Sequence, residues 1–96
     1  MNAPTDITFE VVSSNNNMAT GLFYRRGKPI AYAHYSPKNL NIYLCFREGE
    51  SNTYNHQSLV AIAIKSTGLN FDRKGYLVSE QIGMLERIVA KHECTI

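Results

Sequence analysis

Residues Gly21–Arg47, GLFYRRGKPIAYAHYSPKNLNIYLCFR, decide the predicted fold. Large apolar side chains occupy the even positions from 40 to 46, an alternation typical of a strand that is buried on one face. Gly27 and Lys28 predict a two-residue hairpin turn, since Gly readily supplies the positive φ of the first central position. Ser36–Asn39, SPKN, predicts a second turn. The segment is therefore predicted to form three successive antiparallel strands: Thr20–Arg26, Ile30–Tyr35 and Leu40–Arg47.

The flanking sequence adds one strand and two helices. Ile7–Val12 alternates apolar and polar residues and predicts a strand that precedes the other three. For the apolar run Leu59–Ile64 we favour a helix, because of its Ala and Leu content and because Gly68 suits a helix C-terminus. Alternation within the same run leaves a buried strand as the alternative. Ser79 is predicted to cap a last helix, and the residues at helical spacing after it are Ile82, Leu85, Ile88, Val89 and His92.

These elements predict an α+β fold, a four-stranded antiparallel β-meander followed by one or two α-helices packed on one face. A chain of 96 residues fits a single domain, residues 1–96. With a core of that size, only one face of the sheet is expected to be covered.

The register of the central hairpin decides which side chains the helices cover. A turn at residues 27–28 pairs Phe23 with Tyr32, and we expect the helices over the face where Ala31 opposes Phe46, because small residues leave room there. The other face would then be open, with Phe23, Arg25, Ile30, Tyr32, His34, Tyr43, Cys45 and Arg47. A slip of one residue exchanges the two faces and stays open as the alternative register. The slip would leave outside Leu22, Tyr24, Ala31 and Tyr35.

An open face of this composition predicts a binding surface, since a monomer rarely leaves a large aromatic patch exposed. Aromatic side chains and Arg are enriched at protein interfaces, while rings and cations together also suit single-stranded nucleic acid. The pI of about 8.6 favours a protein, with an acidic surface, over nucleic acid, whose binding domains often exceed a pI of about 9. The same face also allows a homodimer. The predicted binding residues are Phe23, Arg25, Arg26, Lys28, Tyr32, His34, Tyr43 and Arg47.

The charge and hydropathy of the chain restrict its expected cellular location. Five Lys or Arg residues and no acid lie between residues 11 and 47, although the whole chain carries a formal net charge of only +2. No apolar run approaches the roughly 18–20 residues of a membrane helix, and the N-terminus lacks the pattern of a secretory signal. We therefore expect a cytoplasmic protein with no membrane partner, in which Cys45 and Cys94 are free thiols.

The sequence contains no catalytic or cofactor motif. His34 and Cys45 are predicted to lie on one face, but neither strand supplies an acid to orient the histidine. The His and Cys residues lack the spacings of a zinc site, so we expect no metal and no cofactor. We expect a non-enzymatic regulator or inhibitor that acts by protein–protein contact, of the kind that phages and mobile elements encode against host defence complexes. A nucleic-acid-binding module is the alternative.

Overall fold

The computed structural model describes residues 6–94, so the predicted domain 1–96 extends beyond the described residues at both ends. These residues form five strands and two helices. In chain order they are β1 (Ile7–Ser14), β2 (Ala19–Arg25), β3 (Lys28–Tyr35), β4 (Ile42–Phe46), α1 (His56–Thr67), β5 (Leu77–Glu80) and α2 (Met84–Cys94).

The strands form one open sheet in the order β1-β2-β3-β4-β5. Strands β1 to β4 are the predicted antiparallel meander. Strand β5 lies next to β4 and runs parallel to it. The connection through α1 makes this possible, because it returns the chain to the end of the sheet at which β4 begins. The α+β class and the meander are confirmed, and β5 is an element that the sequence did not predict as part of the sheet.

Helix α1 covers the face where it was expected. Ala31 pairs with Phe46 and Ala33 with Leu44, as the sequence predicted. The helical interpretation of residues 59–64 is also confirmed. Asn55 caps the helix by accepting a hydrogen bond from the amide of Ser58, and Gly68 ends it with a φ of 75°. The core beneath α1 consists of Ile7, Phe9, Ala19, Phe23, Ile30, Ala31, Ala33, Tyr35, Ile42, Leu44, Phe46, Leu59, Val60, Ala63 and Phe71.

The hairpin between β2 and β3 turns one residue earlier than predicted. Its central residues are Arg26 and Gly27, with φ values of 54° and 81°, the signature of a type I′ turn. The strands then pair Arg25 with Lys28, and an irregularity follows at the next pair. Because this irregularity leaves one extra residue in β3, Ile30, Phe23 opposes Ala31 on the α1 face, and the predicted pairing of Phe23 with Tyr32 is wrong.

Helix α2 packs on the opposite face of the sheet. Its Leu85 is fully buried against Leu22, Tyr32 and Cys45. The predicted cap, Ser79, lies in β5, and the helix instead begins just after Gly83, whose φ is 73°. The prediction that the helices share one face is therefore corrected: the register sends Leu22 and Tyr32 to the far side, where they require a cover of their own. The molecule has three layers, with the sheet between α1 and α2.

Candidate binding surface

Most of the predicted open face is inside the protein. Phe23 and Ile30 belong to the core beneath α1, and Tyr32 and Cys45 are buried beneath α2. Burial raises the pKa of Tyr32 to about 12, and the neighbouring Cys45 adds to the rise. Phe23 and Tyr32 therefore cannot serve as stacking platforms, and the predicted set of eight residues does not form one surface.

The arginines of that set are engaged with acids. Arg25 Nε donates to Asp6 Oδ2 at 3.1 Å, and Arg26 Nε lies 3.4 Å from the same oxygen. The hydrogen bond from Arg25 lowers the pKa of Asp6. Lys28, at the start of β3, is exposed.

The third arginine of the set, Arg47, is also paired with an acid. Its Nε donates to Glu86 of α2, and this bond lowers the pKa of the Glu86 carboxyl. Its two terminal nitrogens each lie 3.4 Å from the carbonyl oxygen of Pro29. Arg47 therefore joins α2 to the sheet, which is a structural role that the sequence did not predict.

The histidine and the thiol each have another partner. His34 and Cys45 lie on the same face, as predicted, but His34 Nδ1 is 2.8 Å from Thr20 Oγ1. Ser79 Oγ donates to Cys45 Sγ at 3.4 Å. Between residues 6 and 94 no cluster of three or more His, Cys, Asp or Glu side chains is arranged to hold a metal ion. His34 and Cys45 therefore do not form the hydrogen-bonded pair of base and nucleophile that nucleophilic catalysis requires.

Tyr43 is the one predicted aromatic residue that remains available to a partner. It is 45% exposed and lies directly beside Leu77, which is 55% exposed, across the β4–β5 pair. Val78, at 38%, points to the other face, because its partner is the core residue Leu44. Tyr43, Leu77 and Val78 are called the β5 surface below. They border an open depression of about 340 Å³.

The backbone of β5 is also open on one side, since β5 is the last strand of the sheet. The amide of Gln81 donates to the carbonyl of Phe46 in β4. In a parallel strand, the backbone N–H and C=O groups of successive residues point in turn to one side of the strand and then to the other. Because Gln81 points to β4, the backbone groups of Val78 and Glu80 point away from it. Unpaired groups of this kind are a template for another strand.

The other edge of the sheet is protected. Strand β1 has an irregularity between Val11 and Ser13, which interrupts the row of backbone groups that a partner strand would need. The carbonyl of Phe9 accepts a hydrogen bond from Ser66 of α1 at 2.9 Å. This contrast makes the β5 edge the better docking site. The sequence contains little signal for this edge, because the four residues of β5 expose Leu77 and Val78 on opposite faces and show no apolar alternation.

Comparison with protein-family models, with curated proteins and with solved structures finds no match to this chain. Within residues 6–94, neither helix has the length and apolar character needed to cross a bilayer. The function is therefore argued from the surface itself.

Proposed function

We propose that this protein is a non-enzymatic regulator or inhibitor that binds another protein through the β5 surface. The observation that carries the proposal is the exposure of Tyr43, Leu77 and Val78 on and beside an unpaired terminal strand. Apolar side chains on an open strand edge expose a chain to uncontrolled pairing, and native proteins usually block such edges. A terminal strand that keeps exposed apolar side chains, as β5 does, is therefore suited to bind a strand of another protein.

The form of the edge indicates how the partner binds. An extended segment can add to β5 by hydrogen bonding to the backbone of Val78 and Glu80, which supplies affinity. Its apolar side chains can then pack against Leu77 and Tyr43 on one face and Val78 on the other, which supplies specificity. We propose a partner segment that is extended and apolar rather than acidic.

The nucleic-acid alternative has less support. Arg25, Arg26 and Arg47, which belong to the predicted binding residues, are paired with Asp6, Glu50 and Glu86. A phosphate would have to displace these carboxylates, and the counterions released on binding would be correspondingly few.

Leu77→Lys is expected to abolish binding to the partner and to leave the fold intact. Leu77 is more than half exposed, so the substitution removes an apolar contact and places a charge on the edge without disturbing the core. The measurement is affinity capture from extracts of the source organism, with the captured proteins compared between variants by mass spectrometry. Val11→Lys is the matched control, since Val11 is a comparably exposed apolar residue on the opposite edge strand.

A protein captured by the wild type and by Val11→Lys, but not by Leu77→Lys, is the expected result. Val78→Pro should also lose it, because proline removes an edge N–H that β4 does not use. Identical capture by all variants would contradict the proposal. If only the chain itself is captured, size-exclusion chromatography would show a dimer that Leu77→Lys dissociates.

Binding to oligonucleotides is expected to be weak even at low salt. The reason is the pairing of the arginines with carboxylates described above. Fluorescence anisotropy with single- and double-stranded oligonucleotides across a salt series measures it. Tight binding that falls steeply as salt rises would instead support the nucleic-acid function.

A further inference from the structure

A cleft lies between α2 and the part of the sheet formed by β1, β2 and β3. Its volume is about 270 Å³, near the lower end of the range for ligand sites, roughly 300–1,000 Å³. The residues that matter to the argument are Val12, Thr20, His34, Met84, Ile88 and Lys91. We call it the α2 cleft.

One side of α2 forms a wall of the cleft. Met84, Ile88 and Lys91 are spaced four and three residues apart and therefore share a face of the helix. Leu85 anchors the neighbouring face of α2 to the sheet. The cleft wall is thus apolar along two turns and ends at a lysine on the last turn.

The floor of the cleft carries a neutral polar pair. Thr20 and His34 are direct partners across β2 and β3, and their side chains hydrogen bond at 2.8 Å. Burial lowers the pKa of His34, which favours the uncharged ring. If Nδ1 accepts from the Thr20 hydroxyl, the ring proton lies on Nε2, which makes that nitrogen a hydrogen-bond donor.

The charges at the rim are asymmetric. Lys91 is an exposed lysine in the last turn of α2. His92, which also borders the cleft, has its Nε2 3.5 Å from Glu10 Oε1, so any charge on this histidine is shared with an acid. Lys91 therefore supplies the dominant charge for an anionic group.

We propose that the α2 cleft binds a small monocarboxylic acid with a compact apolar body. The body would lie between Val12, Met84 and Ile88, and the carboxylate would face Lys91. Apolar walls with a few convergent polar groups are the usual form of a small-ligand site. This inference does not depend on the proposed protein contact, because none of the residues that line the α2 cleft belongs to the β5 surface, although Tyr43 is paired with His34 across β3 and β4.

Titration with benzoate and 3-methylbutanoate, followed in ¹H–¹⁵N spectra of the whole protein, tests the proposal. The expected result is a saturable shift of the Thr20, His34 and Ile88 amides. Benzamide and 3-methylbutanamide, which lack the charge, should bind about tenfold more weakly, as expected for loss of a charge-assisted contact. Lys91→Gln should weaken binding of the acids by a similar factor and leave the amides unchanged.

Lys65→Gln is the matched control, because it removes a lysine from α1 on the opposite side of the sheet. It should leave the titration unaltered. Ile88→Trp should fill the cleft and block both acids and amides. Equal affinity for acids and amides, equal losses in the two lysine variants, or no shift within the cleft at millimolar acid would each overturn the proposal.

Discussion

Replacing Leu85 with Ala is expected to destabilise the protein by about 2–5 kcal/mol, the range for deleting a buried leucine side chain. Of residues 84–94, which make up α2, Leu85 is the one that is fully buried. Its contacts with Leu22, Tyr32 and Cys45 hold the helix on the sheet. The cavity would therefore open at the point where the third layer is attached. Urea denaturation measures the change.

A second measurement separates undocking of α2 from general weakening. Cys45 is buried beneath the helix, whereas Cys94 is exposed. In a Cys94→Ser background, Leu85→Ala should make Cys45 react faster with a thiol reagent. Ile82→Ala is the control, since Ile82 is 75% exposed and its truncation should change stability by no more than about 0.5 kcal/mol. A Leu85→Ala protein with wild-type stability and a protected Cys45 would contradict the three-layer arrangement.

Charged side chains connect both ends of α2 to the sheet. The Arg47–Glu86 ion pair ties the start of α2 to the end of β4, next to β5. At its far end, His92 lies beside Glu10 of β1. The helix thus crosses the sheet from one edge to the other, which leaves the α2 cleft along its side and the β5 surface beyond its N-terminus.

The sequence was enough to predict how β3 pairs with β4, but it was not enough to predict how β2 pairs with β3. The alternation in β4 and the small residues Ala31 and Ala33 were enough to predict the β3–β4 register and the side covered by α1. In contrast, the hairpin contained one glycine that fits either of two turns. Gly27 can be the first residue of a type II′ turn or the second of a type I′ turn, and local pattern does not distinguish them. The structure adopts the second, and an irregularity after the Tyr24–Pro29 pair then shifts the register by one residue, which places Phe23 opposite Ala31 and buries it.

Two rings of the predicted binding set are buried for different reasons. The register shift in the hairpin turns Phe23 to the α1 face, because neighbouring residues of a strand face opposite sides. Tyr32 keeps the face that was predicted for it and is buried because α2 covers that face. Tyr43 kept its exposed position because the β3–β4 register was correct. The pairing of the arginines could not be predicted, since Asp6 and Glu86 lie far from their partners in the sequence.

Gly21→Ala is expected to destabilise the protein by about 1–3 kcal/mol or more, through overpacking of the core. A Cβ atom at Gly21 would lie 2.1 Å from Cζ of Phe9, far closer than two carbon atoms can approach in van der Waals contact. Phe9 has little freedom to retreat, because its ring packs 4.7 Å from that of Phe23 and 6.2 Å from that of Tyr35. The close approach of ring to backbone explains why a glycine occupies the middle of β2.

A double-mutant cycle in urea tests this contact. Phe9→Leu shortens the side chain and should be destabilising in the wild type but should recover part of the loss in Gly21→Ala, with a coupling of about 0.5–3 kcal/mol. Gly75→Ala is the control, since its new Cβ would meet the Asp72 carboxylate, the movable end of an exposed side chain. It should change stability far less than Gly21→Ala. Additive effects of Phe9→Leu and Gly21→Ala would mean that the ring does not fill the space above Gly21, and the packing of β1 on β2 would then be wrong.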